Sequence, residues 1–243
     1  MIARSDFQIK NKKTISKILL EFLGNLFFVY CIITSLALIL FSSVTIECEV
    51  DGSSMYPTLN NNYGSSKNDV VFVNIYNKDF DYEDIVVINT DKYKIIKRVV
   101  GMPGDTINIV LKDNQYLLER NGEIIEEKYI CQNINPSTPA ISQNGMDSTF
   151  ARFEELRTKT PEFFEYVDEN GVGVGNYVVP ENSIFVLGDN RAVSKDSSYY
   201  GAFHYDQVNG EVEYIKRYNQ SEFNFYYYNI VEGKFWKTLA NLF

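Results

Sequence analysis

Histidine is almost missing from this chain. Only His204 occurs in 243 residues, so a Ser-His-Asp triad would have to rest on that one side chain. Cysteine is nearly as scarce. Cys31 falls inside an apolar run, which leaves Cys48 and Cys131 as a pair able to form a disulfide if the body of the chain is extracytoplasmic. There is no CxxC and no Cys/His cluster, so neither a metal nor a cofactor is expected. Positive charge is short as well. The net charge is -9, yet residues 1–20 carry +4, from Arg4, Lys10, Lys12, Lys13 and Lys17 against Asp6. The remainder therefore holds -13, and so acidic a body argues against nucleic acid as a partner. Internal repeats and low-complexity tracts are absent.

Charge is also absent between Glu21 and Glu47. Residues 23–46 are almost entirely apolar or small, rich in Leu, Ile, Phe and Val. At about 1.5 Å per residue, a helix of roughly 24 residues reaches about 36 Å, enough to cross a bilayer core with some tilt. A cleaved signal peptide would have a shorter apolar core and a small-x-small cleavage site. Here the run is long and leads into Val44-Thr45-Ile46-Glu47-Cys48-Glu49-Val50, which reads as a strand. The expectation is an uncleaved anchor: a basic cytoplasmic segment 1–22, a single transmembrane span 23–46, and a body outside the cytoplasm, held at the cell membrane and facing the lipid bilayer.

The body, residues 47–218, reads as mainly β. Asp69 to Ile75, Asp84 to Ile88, Tyr93 to Val100, Thr106 to Leu111, Gln115 to Glu119 and Glu123 to Ile130 are short strand-like runs. Asn121-Gly122 supplies a hairpin turn between the last two. Tyr177 to Val179, Ile184 to Leu187 and Glu211 to Arg217 follow. The expected architecture is an antiparallel β-sheet or partly open barrel behind a transmembrane helix. Residues 132–175 read as an inserted lobe, with a polar loop and then a helical stretch from Ser148 to Tyr166 interrupted by Pro161. Residues 219–243 form an aromatic tail.

Three fragments carry chemistry. In the first, Gly52-Ser53-Ser54-Met55-Tyr56-Pro57-Thr58, a serine sits in a bend that Gly52 opens and Pro57 closes. Ser54 is placed as a nucleophile would be, and Met55 is an apolar side chain able to face a lipid or a substrate. In the second, strand alternation places Lys97 with Tyr93, Ile95 and Val99 and turns Arg98 to the other face, toward an acidic partner or solvent. A free lysine titrates near 10.4. Lowering it to about 8 takes roughly 3.3 kcal/mol, which partial burial can supply. On pattern alone, Lys97 is more often an edge-strand charge that blocks aggregation, and Ser54 an ordinary turn serine. In the third, Gly188-Asp189-Asn190-Arg191-Ala192-Val193-Ser194-Lys195-Asp196-Ser197, a strand runs into a loop of short polar side chains able to orient catalytic groups.

Taken in order after an anchor, the three fragments resemble the bacterial type I signal peptidases, serine/lysine endopeptidases. Ser54 to Thr58 match that family's Ser-Met-x-Pro-Thr. Lys97 to Asp105 match its Lys-Arg-x-x-Gly-x-Pro-Gly-Asp, and Gly188 to Ser197 its Gly-Asp-Asn-Arg-x-x-Ser-x-Asp-Ser.

The resemblance implies a set of roles. Ser54 is the nucleophile and its N–H half of the oxyanion hole, in the turn formed by Gly52, Ser53, Met55 and Pro57. Lys97 is the general base, and Ser194 hydrogen-bonds its amine. Asp196 and Arg191 brace the loop, and Asp189 fixes the same network. It further implies signal-peptide-bearing preproteins as substrates, cut after a small-x-small site, and a monomeric enzyme.

Two departures stand out. Ser198 occupies a place where the family often has arginine, which removes an ion-pair partner for Asp196. Gly52 stands where some members supply a hydroxyl to the oxyanion, so a second donor must come from elsewhere. Three other readings compete: a self-cleaving regulator like the SOS-response repressors, a catalytically inactive anchored interaction protein, and a peptidase dedicated to pilin-like substrates. The regulators carry a DNA-binding N-terminus, whereas this chain begins with an apolar anchor and has an acidic body.

Overall fold

The computed structural model describes residues 2–60, 68–131 and 143–217. The aromatic tail and most of the polar loop of the expected lobe lie outside the described residues.

The chain divides into two units, 1–45 and 46–243. The first is the helix α1, Ile2–Val44. Its sequence has no proline to interrupt it. It ends where the β-branched run Val44-Thr45-Ile46 begins, so Thr45 and Ile46, placed by sequence in the apolar span, open the first strand instead. Lys17–Leu40 has a mean hydropathy of 2.2 and none of it is buried. Leu26, Phe27 and Ile33 are each more than half exposed, so this helix is long and apolar enough to cross a membrane.

The second unit is mainly β, as expected. Seven strands form one sheet in the order β1 (Thr45–Glu49), β2 (Val70–Asn74), β12 (Val208–Lys216), β3 (Ile85–Asn89), β4 (Lys94–Gly101), β10 (Ser183–Leu187) and β11 (Phe203–His204). Five form a second sheet: β7 (Glu123–Ile124), β6 (Gln115–Arg120), β5 (Thr106–Lys112), β9 (Gly173–Val178) and β8 (Phe164–Val167). The pairings β2–β12, β12–β3, β3–β4, β4–β10 and β5–β6 are all antiparallel. β3 and β4 are short Val/Ile-rich runs buried along most of their length, as suits strands at the centre of a sheet.

Three apolar clusters hold the unit together. One lies under the second sheet, where Phe153 and Leu156 of α2 (Met146–Lys159) meet Ile107, Leu118 and Tyr177. A second joins β3, β4 and β10 through Val86, Val99, Ile184 and Val186. The third gathers Val50, Met55 and Leu59 against Val71, Val73 and Val87.

Two expected elements change. The run Glu123 to Ile130 forms a strand only as far as Ile124; the Ile125 N–H still donates to Leu118 O at 3.0 Å, and residues 126–131 then leave the sheet, where the Cys131 N–H donates to Asp189 O at 2.9 Å. The helix expected to resume after Pro161 does not. A single 3-10 turn at Pro161–Phe163 leads into β8, whose Phe164 packs on Tyr177. The described part of the lobe is therefore built into the second sheet.

Candidate active site

The register of the central strands decides what meets here. Leu187 pairs with Arg98, so β10 ends just as it passes β4, and Gly188 and Asp189 come off at the level of Lys97. The bend after β1 arrives from the other side. Gly52 has φ +84, a conformation that suits glycine. Asn60 closes the bend by donating from its amide to Val50 O at 2.8 Å and Gly52 O at 3.0 Å. The Asn190 N–H donates to Ser54 O at 3.0 Å and ties the two loops together. Gly188 is needed where they touch, since a Cβ there would fall 2.3 Å from Ser194 Oγ and 2.6 Å from Ser54 O.

These contacts bring Lys97 Nζ to 2.7 Å from Ser54 Oγ, across 43 residues of sequence. The amine also donates to Ile96 O at 2.7 Å. Lys97 is only 3% exposed. Burial pushes its pKa down to about 8, against the opposing pull of the Asp196 and Asp189 carboxylates. Ser54 is half-buried and Ser53 exposed, and both line a cleft of about 780 Å³ shared with Lys97, Ile95 and Tyr93. A hydroxyl within reach of a lysine that can be neutral near pH 8, at the floor of an open cleft, is the arrangement needed for nucleophilic attack with a lysine base.

The neighbouring cation is handled differently. Arg98 donates from Nε and Nη2 to Asp189 at 2.9 and 2.6 Å and from Nη1 to Glu83 O at 2.8 Å. The Tyr129 ring lies 4.0 Å from its guanidinium carbon. Thr58 Oγ1 donates to the same Asp189 carboxylate, so Asp189 joins the serine bend to β4. Arg191, fully buried, donates to Gly188 O at 3.0 Å and pairs with Glu127. Asp196 accepts from Gly188 N at 3.0 Å and from Ser198 N and Oγ at 3.1 and 2.7 Å, capping the short helix α3 (Ser197–Tyr200). Both acids and Arg191 thus tie the loop to β4, to the serine bend and to α3.

Two expectations, for Ser194 and Met55, need correction. Ser194 Oγ is buried and has no hydrogen-bond partner among the described residues, so the expected bond to Lys97 is not formed. Met55 faces neither lipid nor cleft. It is 1% exposed in the cluster with Leu59 and Val71, because the bend folds back over β2 and β3. Pro57, joined to Tyr56 by a cis peptide bond, is half-buried in the same bend. Cys48 and Cys131 are free thiols. His204 is half exposed at the sheet edge, where its Nδ1 accepts from Asp206 N–H and caps a 3-10 turn. Among the described residues, no three His, Cys, Asp or Glu side chains converge as a metal site would require.

Sequence reading also missed supporting residues. Thr58, Asn60, Glu127, Tyr129 and Arg152 all reach this site, and only Thr58 lay inside a recognised fragment.

Comparison with known proteins points the same way. Residues 22–216 match the family model described as signal peptidase, peptidase S26. Signal peptidase I S of Bacillus subtilis is 33% identical over 184 residues, 74% of this chain and 81% of its own length. Signal peptidase I of Bacillus caldolyticus is 30% identical over 77% of this chain and 86% of its own. That of Streptococcus pneumoniae is 31% identical over 68% and 78%.

Proposed function

This chain belongs to the signal peptidase family, peptidase S26, and is a peptidase; we propose that Ser54 is its nucleophile and Lys97 its general base. The observation that carries this reading is the 2.7 Å approach of the buried Lys97 amine to the Ser54 hydroxyl.

With Lys97 neutral, its lone pair accepts the Ser54 proton along that line. Ile96 O takes one amine N–H and fixes the direction of the lone pair. Oγ then adds to the scissile carbonyl carbon. The oxyanion that forms is met by the Ser54 N–H, and collapse passes the proton from the lysine ammonium to the leaving amine. Water, deprotonated by the same amine, attacks the acyl ester and frees Ser54.

The substrates in this reading are exported preproteins with a membrane-held signal peptide, cut after a small-x-small site outside the cytoplasm. An extended substrate segment would lie in the cleft beside β1 and β4, reading small side chains as an added strand. Helix α1 serves as a single-pass anchor with its basic N-terminus in the cytoplasm. Holding enzyme and substrate in one bilayer raises their effective concentration.

The test is cleavage of a purified preprotein in detergent by the full chain and by Ser54→Ala and Lys97→Met. Both variants should fold and lose at least about four orders of magnitude in kcat/KM. A Lys97→Met variant that cuts at the wild-type rate would remove lysine as the base.

A further inference from the structure

A guanidinium from outside the three fragments reaches into this loop. Arg152 lies on α2, about forty residues before the loop. It donates from Nε to Ser198 Oγ at 3.1 Å and from Nη2 to Arg191 O at 2.8 Å and Thr149 Oγ1 at 3.1 Å. Ser198 Oγ passes the contact on, donating to Asp196 Oδ1 at 2.7 Å, while Asp196 Oδ2 accepts from Gly188 N at 3.0 Å. Gly188 is the residue packed against both Ser54 O and Ser194. An unbroken chain of hydrogen bonds and contacts therefore runs from α2 to the serine bend. Thr149, on the same helix, reinforces it with a bond to Arg191 O at 3.2 Å.

We propose that Arg152 is a positioning residue for the reaction: through Ser198 it fixes and charge-balances the Asp196 carboxylate, and so governs the Lys97 amine and the Gly188 loop around it. The proposal rests on the reading of Lys97 as base.

The electrostatics are consistent with the geometry. Asp196 is fully buried, and its charge favours the ammonium form of Lys97. The same charge supports Arg152, whose own pKa burial pulls down. Arg152 and Lys97 therefore share one carboxylate. Arg191 also feels Asp196 but is committed to Glu127. The other carboxylate acting on Lys97, Asp189, is held by Arg98. Among the described residues, Lys94, Lys195, Glu49 and Asp51 are the other charged side chains that line the same cleft as Lys97. Without Arg152, Asp196 would favour the Lys97 ammonium more strongly, and less free base would be present at neutral pH. Ser198 stands where the resembling motif often carries arginine. In this chain the guanidinium comes from a helix in the lobe instead, and Ser198 receives it.

The experiment is the pH dependence of kcat/KM, from pH 6 to 10, on a preprotein in detergent. The proteins are wild type, Arg152→Gln, Arg152→Lys, Ser198→Ala and Lys97→Met, each full length. Arg152→Gln should move the lower limb alkaline by about one pH unit. It should cost about tenfold at pH 7 and come within about threefold of wild type at the alkaline plateau. Arg152→Lys should restore most of the loss, and Ser198→Ala should shift the limb the same way by less. A uniform loss at every pH, unrelieved by lysine, would mean that Arg152 only supports the fold, and the proposal fails. An unshifted limb overturns it as well. If Lys97→Met keeps activity, the base assignment itself is wrong, an outcome separable from both.

Discussion

On one face of β4, Lys97 is 3% exposed and its amine meets a hydroxyl and a carbonyl oxygen. On the other face, one residue on, Arg98 is 6% exposed and meets a carboxylate through two nitrogens, a backbone carbonyl and a tyrosine ring. Both are buried cations by residue type, but only one has its charge compensated by direct contact. Arginine stays protonated under any condition the fold meets, so it needs a full partner. Lysine can give its proton up, and burial without a direct carboxylate encourages it to do so. The same strand thus holds a structural cation and a base, separated only by the alternation of side chains.

Exchanging the two residue types breaks the comparison most sharply. Lys97→Arg keeps charge and bulk but has no accessible neutral form. Activity should fall at least about 10⁴-fold at every pH up to 10, measured as kcat/KM. Arg98→Lys loses the two-nitrogen grip on Asp189 and should lower Tm while keeping measurable cleavage.

Asp189→Asn comes next. It leaves the Arg98 guanidinium without its carboxylate and should cost about 3–5 kcal/mol in denaturant unfolding. In the surviving folded fraction the base limb of the pH profile should move acid, since Asp189 favours the Lys97 ammonium. The smallest effect belongs to Ser194→Ala. Its hydroxyl is buried with no partner among the described residues, so its removal should change stability by less than about 1 kcal/mol, measured by the same unfolding curves. A loss of several kcal/mol would show that Ser194 makes a bond in solution.

Much of this contrast was legible beforehand. The Val/Ile runs of β3 and β4 and the Asn121-Gly122 turn between β6 and β7 are local signals, and they place strands correctly. Alternation along β4 separates Lys97 from Arg98 and leaves the latter either an acidic partner or solvent; the fold supplies Asp189. What stayed hidden depends on tertiary contacts. Met55 sits beside the serine and reads as a residue that faces a lipid or a substrate, yet its burial is set by Val71 and Val87 on strands that arrive later. Glu127 and Tyr129 lie in a run with strand character, but their pull toward Arg191 and Arg98 ends β7 at Ile124. Arg152 carries no signal at all in its own neighbourhood. Its role appears only when α2 packs against the loop.

The claim at the centre of this account is that Lys97 is neutral enough to act as a base because burial outweighs the carboxylates around it. Its titration can be followed directly by NMR of lysine side chains in the detergent-solubilised Ser54→Ala protein, with Lys97→Met supplying the assignment. The account predicts a midpoint near 8, with free amine rising through pH 7 to 9. A midpoint at the ordinary lysine value of about 10.4 would contradict it.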